Sequence, residues 1–203
     1  MTRVSATLAK MSYDSLPATA CWQHRGTRSG FEVAYFQAAP DGWRIDGTTT
    51  AIEEAHTWIV TYSIQVDAAW ITRSAGVTVR TTMGSRETVL ESDGYGRWHV
   101  DGQRASHLDG CLDVDLESSA MTNALPVHRL DLPVGVRAEA PAAYVRAFDL
   151  SAGRMEQTYR RIADEATRQR YRYAAPLFDF STNLVYDESG LVLDYPGIAV
   201  RVG

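Results

Sequence analysis

The sequence predicts a mostly β fold with little helix, and two patterns lead to this prediction. Apolar and polar residues alternate along several segments, so every second side chain faces the same side, as in a half-buried strand. Turn residues separate these segments, most clearly Pro40-Asp41-Gly42, Asp93-Gly94 and the four residues from Asp187 to Gly190. Short turns between alternating segments are typical of antiparallel hairpins. We therefore expect an antiparallel sheet.

The segment at residues 58–67, W-I-V-T-Y-S-I-Q-V-D, shows the alternation most clearly. Its apolar side holds Trp58, Val60, Tyr62, Ile64 and Val66. Other segments are rich in β-branched and aromatic residues and also favour strands; they lie at residues 31–47, 70–82 and 86–102. Residues 178–202 contain the clearest hairpin. These segments together account for most of the predicted sheet.

Residues 108–116, L-D-G-C-L-D-V-D-L, predict a strand with two different faces. Apolar residues and a glycine occupy the even positions, and the odd positions hold Asp109, Cys111, Asp113 and Asp115. The stretch that follows contains Pro126 and Pro133. Proline lacks the N–H group that a central strand needs, so we expect an extended connection or an edge here.

Residues 155–173 fit two structures. Met155, Tyr159 and Ile162 have helical spacing, whereas Tyr171 and Tyr173 alternate as in a strand. Periodicity alone therefore leaves a helix and a hairpin open.

Two segments, Y-S-I-Q-V-D and N-L-V-Y-D, are weakly similar in sequence. This short match suggests a duplicated β-hairpin unit.

Length and composition predict a single domain over residues 1–203. The chain is 45% hydrophobic and 22% charged, which is enough apolar material for a sizeable core. A net charge of −5 argues against nucleic acid as a partner, since phosphate binding needs clustered positive charge. The first residues lack the apolar run of an export signal, and we find no apolar stretch of about 18 residues. We therefore expect a cytoplasmic protein without a transmembrane segment, in which Cys21 and Cys111 are free thiols.

Motifs for common enzyme chemistries are absent from the sequence. There is no nucleophile elbow, no dinucleotide fingerprint, no phosphate-binding loop and no H-E-x-x-H zinc motif, so we expect neither a cofactor nor a metal. His99, His107 and Asp109 form the local group that most resembles a ligand set. Asp109, Asp113 and Asp115 share one face of the predicted strand and could act as an acid–base pair if enclosed. Solvated surface residues are the simpler interpretation.

The aromatic residues point to ligand binding as an alternative to catalysis. The chain has ten tyrosines and five tryptophans, namely Trp22, Trp43, Trp58, Trp70 and Trp98. Most of these side chains should form the core, because aromatics supply much of the buried surface of a β domain. A sheet that curves into a barrel can also leave its inside partly unfilled. An apolar, aromatic-lined hollow of this kind accepts a lipid.

Three ordered strings stand out in the second half of the chain: H-L-D-G-C-L-D-V-D-L at 107–116, T-N-A-L-P-V-H-R-L at 122–130 and G-L-V-L-D-Y-P-G-I-A-V-R-V at 190–202. Together they resemble a bacterial family described as putative glycolipid-binding proteins. Weaker agreement covers R-W-H-V-D-G at 97–102 and Q-T-Y at 157–159. The chain departs from the family pattern at Met121, Ala124 and the pair Val127-His128.

The resemblance implies a fold more firmly than an activity. It implies one antiparallel sheet curved into an open or closed barrel, akin to the periplasmic carriers that hold the acyl chains of lipoproteins. It also favours a hairpin over a helix at residues 155–173. No catalytic residues follow from it.

We therefore predict that the protein binds a glycolipid-like or other amphiphilic small molecule in a β-barrel hollow, by apolar burial with polar contacts at the mouth. The predicted contact residues are Trp58, Tyr62, Trp70, Trp98, Arg129 and Tyr195. Aromatic rings would cover acyl or sugar surface, and Arg129 would meet the head group. Asp113 and Asp115 would hydrogen-bond the backbone of the connection that follows them, or pair with Arg129.

Two other functions stay open from the sequence. The first is an enzyme acting on a glycolipid-related molecule, with carboxylates of residues 109–115 and either His99 or His107. The second is a structural or interaction protein whose barrel is filled with side chains. Whether the protein is an enzyme and which oligomer it forms are not predicted.

Overall fold

The computed structural model describes residues 13–203. The predicted absence of an export signal concerns the first residues of the chain and lies outside this part. The described residues form seventeen strands, which in chain order are β1 (Thr19–His24), β2 (Arg28–Ala39), β3 (Gly42–Glu53), β4 (His56–Asp67), β5 (Thr72–Thr81), β6 (Gly84–Ser92), β7 (Trp98–Val100), β8 (Gln103–Arg104), β9 (Asp113–Leu116), β10 (Arg137–Glu139), β11 (Ala142–Val145), β12 (Ala152–Met155), β13 (Thr158–Glu165), β14 (Arg168–Ala175), β15 (Phe180–Tyr186), β16 (Val192–Tyr195) and β17 (Ala199–Arg201).

Fourteen of these strands form one antiparallel sheet. Their order is β10-β13-β14-β15-β16-β17-β1-β2-β3-β4-β5-β6-β7-β8, so the sheet is open, with β10 and β8 at its two edges. The turn predicted at Pro40-Asp41-Gly42 joins β2 to β3, and the Asp187–Gly190 turn joins β15 to β16. The predicted fold class, a mostly β protein with one large antiparallel sheet and little helix, is confirmed.

The alternation predicted in β4 is confirmed by the burial of its side chains. All five residues of the predicted apolar side are buried, from Trp58 to Val66, and their neighbours along the strand are exposed or half-buried. Inward-facing residues of β1 to β7 join one hydrophobic core with side chains of β9 and β11. A second cluster contains inward-facing tyrosines of β13 to β15. The large sheet therefore curves around its core.

A second sheet of three strands, which the sequence did not predict, lies against the inner face of the large sheet. Its order is β12-β11-β9, with β11 antiparallel to β12 and parallel to β9. The Thr72 N–H donates to the carbonyl of Leu112, and the Trp98 indole donates to the carbonyl of Cys111 at 2.8 Å. These bonds attach the start of the small sheet to the large one.

The strand predicted at residues 108–116 is shorter than expected. Residues Ser106–Leu108 form a 3₁₀ helix, and only Asp113–Leu116 are extended. All four residues of this strand are buried, because β9 lies inside the curved sheet. The face that carries Asp113 and Asp115 is therefore turned to the interior, where each carboxylate needs a partner.

The extended connection predicted after β9 is wrong, because this segment is helical. A 3₁₀ helix at Met121–Asn123 leads directly into α1, which covers Ala124–Leu130. Pro126 is the third residue of α1, where its missing N–H would lack a partner in the helix in any case. A third 3₁₀ helix, Pro176–Phe178, follows β14. No helix in the described part of the chain is long and apolar enough to cross a membrane.

Residues 155–173 form the hairpin that the family resemblance favoured over a helix. Strands β13 and β14 pair from Thr158 opposite Ala174 to Glu165 opposite Arg168. Tyr159, Tyr171 and Tyr173 point inward and are almost completely buried. Of the residues with helical spacing, Met155 ends β12, and Tyr159 and Ile162 both lie on β13.

Candidate ligand-binding cavity

A cavity of about 290 Å³ lies between the two sheets. The large sheet contributes residues at the ends of β1, β14, β15 and β16, and the small sheet contributes residues of β9, β11 and β12. This volume is at the lower limit of the roughly 300–1,000 Å³ typical of small-molecule sites. The cavity can therefore hold one end of an amphiphile and not a complete glycolipid.

Buried polar side chains form the floor of the cavity. His24, Asp115, Ser119 and Asn123 line it, and each is less than a tenth exposed. Asn123 is held in place because its side-chain oxygen accepts a hydrogen bond of 2.9 Å from the hydroxyl of Tyr159. The polar groups of the cavity thus lie at its deep end.

His24 has no hydrogen-bond partner in the described part of the chain. Both ring nitrogens, Nδ1 and Nε2, are buried and unpaired. Burial, together with the nearby charge of Arg28, lowers the pKa of His24 to about 4. The ring is therefore neutral at pH 7 and offers one donor and one acceptor. Both nitrogens are enclosed by protein, so a ligand reaches them only if the ring turns toward the cavity, and such a contact would recover the free energy that the unpaired groups cost.

Asp115 presents a carboxylate to the same cavity. Its Oδ1 accepts a hydrogen bond of 2.9 Å from the Thr122 hydroxyl, and Oδ2 has no protein donor among the described residues. Burial raises the pKa of Asp115 to about 6, against the opposing effect of the Thr122 hydrogen bond. Asp115 is thus mostly ionised at pH 7, with one oxygen free to accept a hydrogen bond from a ligand.

Aromatic and apolar side chains line the walls and the mouth. Tyr195 packs edge-on against Tyr173 with ring centroids 6.1 Å apart, and it lies at the same distance from Phe180. Phe178 lies 5.6 Å from Tyr144 and is about half exposed at the mouth. The cavity therefore has a polar floor, and one side of its mouth is apolar.

Charged residues at one side of the mouth are already paired. The Arg28 guanidinium forms an ion pair of 3.0 Å with Glu53 and donates to the backbone carbonyl of Glu117 at 2.8 Å. It also lies 4.8 Å above the ring of Trp58 in a cation–π contact. These contacts hold Arg28 beside the cavity.

Of the six predicted contact residues, Tyr195 lies in the cavity wall and two others lie in structural positions near it. Arg129 forms a two-pronged ion pair with Asp113, with distances of 2.9 Å and 2.5 Å. Tyr62 donates its hydroxyl to Glu32 at 2.7 Å. The structure places neither Arg129 nor Tyr62 in the cavity lining.

None of the three predicted tryptophans lines this cavity. Trp98 is completely buried against the small sheet. Trp70 stacks on His128, with ring centroids 3.7 Å apart, and on Trp43 at 6.3 Å. Trp58 lines a shallow depression of about 610 Å³ at the ends of β2 to β5. That depression is larger, but it lacks the unpaired buried groups of the cavity.

The residues of the predicted enzyme site are not brought together. Asp109 pairs with Arg104 at 2.7 Å on the surface, and the exposed His107 contacts the carbonyl of Ala152 at 3.1 Å. His99 is exposed on β7. Asp113 and Asp115 bond to the side chains of Arg129 and Thr122 and not to the backbone of the segment that follows. Among the described residues, no group of His, Cys, Asp and Glu could hold a metal ion.

Glu32 is a buried polar residue that the sequence reasoning missed. Its carboxylate accepts hydrogen bonds from Tyr62, from the Ser119 hydroxyl and from the backbone N–H groups of Ala120 and Met121. Burial raises the pKa of Glu32, and these four hydrogen bonds oppose the rise. Glu32 ties β2 to residues 119–121, which lead into the helical segment that carries Asn123. It thereby positions part of the cavity floor.

Fold and cavity together define a class of β protein in which an open, curved antiparallel sheet encloses a smaller sheet and an internal cavity. The chain belongs to the family described as Putative glycolipid-binding, which matches residues 19–201. This confirms the resemblance found in the three sequence strings.

Two solved structures are similar to the chain. The chain is similar to a crystal structure of a DUF1089 family protein from Pseudomonas aeruginosa, with 29% identity and a TM-score of 0.72 over 99% of this chain and 100% of that one. It also matches a beta-barrel-like protein of the DUF1849 domain of unknown function from Brucella abortus, with 10% identity and a TM-score of 0.45 over 91% and 92% of the two chains. Comparison with curated proteins gives no match.

Replacing Asp115 by asparagine should stabilise the protein at neutral pH. Folding raises the pKa of Asp115 from 3.8 to about 6. The folded protein therefore binds a proton at Asp115 more tightly than the unfolded chain does. The contribution of Asp115 to the free energy of unfolding is therefore most favourable below about pH 4, and it is lost as the pH rises to about 6. Ionised Asp115 therefore costs up to about 3 kcal/mol at pH 7.

Urea unfolding of Asp115→Asn and of the unmodified protein at pH 4 and pH 7 measures this effect. We expect a gain in the free energy of unfolding of up to about 3 kcal/mol at pH 7 and little change at pH 4. His24 titrates in both proteins, so its contribution cancels in the difference. Equal differences at the two pH values would contradict the raised pKa of Asp115.

Proposed function

We propose that the cavity binds the head group of an amphiphile whose head is neutral and rich in hydroxyl groups, such as a glycolipid. The observation that carries this proposal is a polar floor, with an unpartnered His24 and a free Asp115 oxygen, below an apolar side of the mouth formed by Phe178, Phe180 and Ile198. The head group enters first, and the acyl chain leaves the cavity between Phe178, Phe180 and Ile198.

The chemistry of the floor supports a hydroxylated head group. Ionised Asp115 accepts hydrogen bonds only, and neutral His24 both accepts and donates, so together they match sugar hydroxyls, which do both. Anionic head groups are disfavoured at the floor because ionised Asp115 would repel them, and Arg28 at the mouth is already paired with Glu53. The rings of Tyr144 and Tyr195 offer apolar faces for a sugar ring.

The volume of the cavity and the family description also support this proposal. A cavity of about 290 Å³ suits a head group better than a whole lipid. The presence of this cavity argues against the alternative of a structural protein whose barrel is filled with side chains. Among the contact residues predicted from sequence, Tyr195 lines the cavity, and the description of the family fits an amphiphilic ligand of this kind.

Calorimetric titration with octyl glucoside below its micelle concentration tests the proposal. We expect saturable binding of octyl glucoside, weaker binding of glucose and no binding of octyl sulfate. Glucose lacks the octyl chain that would contact the apolar side chains at the mouth. Octyl sulfate has an anionic head group in place of the hydroxylated one that the floor would bind. Equal binding of octyl sulfate and octyl glucoside, or binding of neither, would overturn the proposal. Native mass spectrometry of protein purified from its own host would identify the natural ligand.

Variants of the floor identify the binding residues. Asp115→Asn and His24→Leu should each weaken octyl glucoside binding, with a loss of about 1.5–3 kcal/mol for the charged acceptor and about 1 kcal/mol for the neutral ring. Asp109→Asn and His99→Leu are matched controls on the surface and should leave the affinity unchanged. Similar losses in the control variants would exclude this cavity as the site.

Acid–base catalysis on the bound head group is a second candidate function. The observation that favours it is a carboxyl with a pKa of about 6 in the same cavity as an unpaired imidazole. Hydrolysis of nitrophenyl glycosides, abolished in Asp115→Asn, would support an enzyme. Binding of octyl glucoside without turnover of any glycoside supports the binding function alone.

A further inference from the structure

Three arginines lie directly opposite one another on the outer face of the large sheet. Arg137 of β10 is paired in register with Arg160 of β13, and Arg160 is paired with Arg172 of β14. All three are exposed. Opposite residues on antiparallel strands have Cβ atoms about 4.5–5.5 Å apart, and like charges in these positions are destabilising.

Carboxylates do not neutralise this arginine row. In the part of the chain that the structure describes, none of the three side chains takes part in an ion pair or a hydrogen bond. Glu139, on the same face of β10, makes no ion pair with them either. The sheet therefore keeps an unpaired positive row in a protein whose net charge is −5. An external anion would relieve the repulsion between these charges.

Large apolar side chains are exposed close to this row. Leu177 is 66% exposed, Phe178 is 53% exposed and Ile198 is 39% exposed. Phe178 and Ile198 also line the cavity, so this apolar rim lies along one side of its mouth. Leu177 and Phe178 belong to the 3₁₀ helix that begins directly after β14 ends. Exposed apolar groups collected at one place mark an interaction site more often than scattered ones do.

We propose that the arginine row and the apolar rim together dock the protein on an anionic lipid bilayer, with the cavity mouth facing the membrane. Arg172 lies three residues before the end of β14, which corresponds to about 10 Å along a strand. Electrostatic attraction acts over about this distance at 0.1 M salt. The rim can therefore enter the lipid interface while the arginines meet the negative surface.

Apolar side chains next to clustered positive charge are the combination that binds proteins to the surface of anionic membranes. A nucleic acid would use the arginines but not the apolar rim, because its phosphates offer no apolar surface to Leu177 and Phe178. The docking does not depend on what the cavity binds. If the cavity takes a glycolipid head group, the orientation leaves the acyl chain in the bilayer.

Co-sedimentation with vesicles tests this docking. We expect the full-length protein to bind vesicles of phosphatidylcholine mixed with phosphatidylglycerol, and to bind phosphatidylcholine alone much more weakly. The triple variant Arg137→Gln/Arg160→Gln/Arg172→Gln should reduce binding roughly a hundredfold at low salt, since each arginine at an anionic surface contributes about fivefold. The triple variant Arg80→Gln/Arg86→Gln/Arg97→Gln changes the net charge equally at exposed positions of other parts of the molecule. It should bind as the unmodified protein does.

Single substitutions at the rim test the apolar contribution. Leu177→Ser should weaken binding several-fold, whereas Met83→Ser, at an exposed apolar residue of the β5–β6 turn, should not. Asp179→Asn removes a negative charge next to the rim and should strengthen binding. Leu177 does not line the cavity, so its substitution should leave octyl glucoside binding unchanged.

Three results would overturn the docking proposal. They are equal binding to neutral and anionic vesicles, an equal loss in the two triple variants, and tighter binding of double-stranded DNA than of anionic vesicles. A failure of octyl glucoside to bind would contradict the proposed function alone and would leave these vesicle results interpretable.

Discussion

Replacing Arg129 by alanine should destabilise the protein by about 3–5 kcal/mol. The side chain of Asp113 has no exposed surface. Both hydrogen bonds to its carboxylate come from the guanidinium group of Arg129. Burial raises the pKa of Asp113, while the hydrogen bonds and charge of Arg129 oppose the rise. Without Arg129, a buried carboxylate would have to stay charged without a partner or take up a proton, and both lower the stability of the fold.

Urea unfolding at pH 7 measures this loss. Arg44→Ala serves as the control, because its ion pair with Asp46 is solvent-exposed and should contribute at most about 1 kcal/mol. The double variant Arg129→Met/Asp113→Leu should be more stable than Arg129→Ala, since removing both charges leaves none buried. If Arg129→Ala and Arg44→Ala lose equal stability, Arg129 does not neutralise a buried charge.

Replacing Glu32 by alanine should cost at least about 3 kcal/mol, the second large effect that we expect. The substitution leaves the Tyr62 hydroxyl, the Ser119 hydroxyl and two backbone N–H groups without their acceptor. Each buried donor left unpaired costs about 1–3 kcal/mol. The loss should also loosen the segment after β9, because Glu32 fixes its start.

Thermal unfolding and amide hydrogen exchange test this role of Glu32. Faster exchange at Ala120 and Met121 is the specific result expected from Glu32→Ala. Glu87→Ala, at an exposed position on β6, should change stability by no more than about 0.5 kcal/mol. Unchanged exchange at Ala120 would show that Glu32 does not hold this segment.

The strands of the large sheet could be predicted because one of their faces is buried and the other is not. In β4 this produces the clean alternation from Trp58 to Val66. The small sheet could not be predicted in the same way, because β9 is buried on both faces and its alternation suggests a solvent face that does not exist. The helical segment was missed because Pro126, a residue that usually excludes regular structure, lies in the first turn of α1.

The cavity floor was only partly predictable, although the sequence contained a usable signal. His24 follows Ala20 and Trp22 in phase on β1, and Glu32 precedes Ala34 in phase on β2. A polar residue in phase with the buried face of a strand must find a partner inside the protein or a ligand. The aspartates at 109–115 attracted attention through their number, yet only Asp115 reaches the cavity.

The two free edges of the large sheet have a consequence for the behaviour of the protein at high concentration. Strand β8 has two residues and β10 has three, and each carries an arginine. A neighbouring chain that tried to extend the sheet would find few backbone groups to pair with at either edge, and at β10 it would also meet the unpaired charge of Arg137. Short, charged edges therefore allow a fourteen-stranded open sheet to avoid aggregation by strand addition.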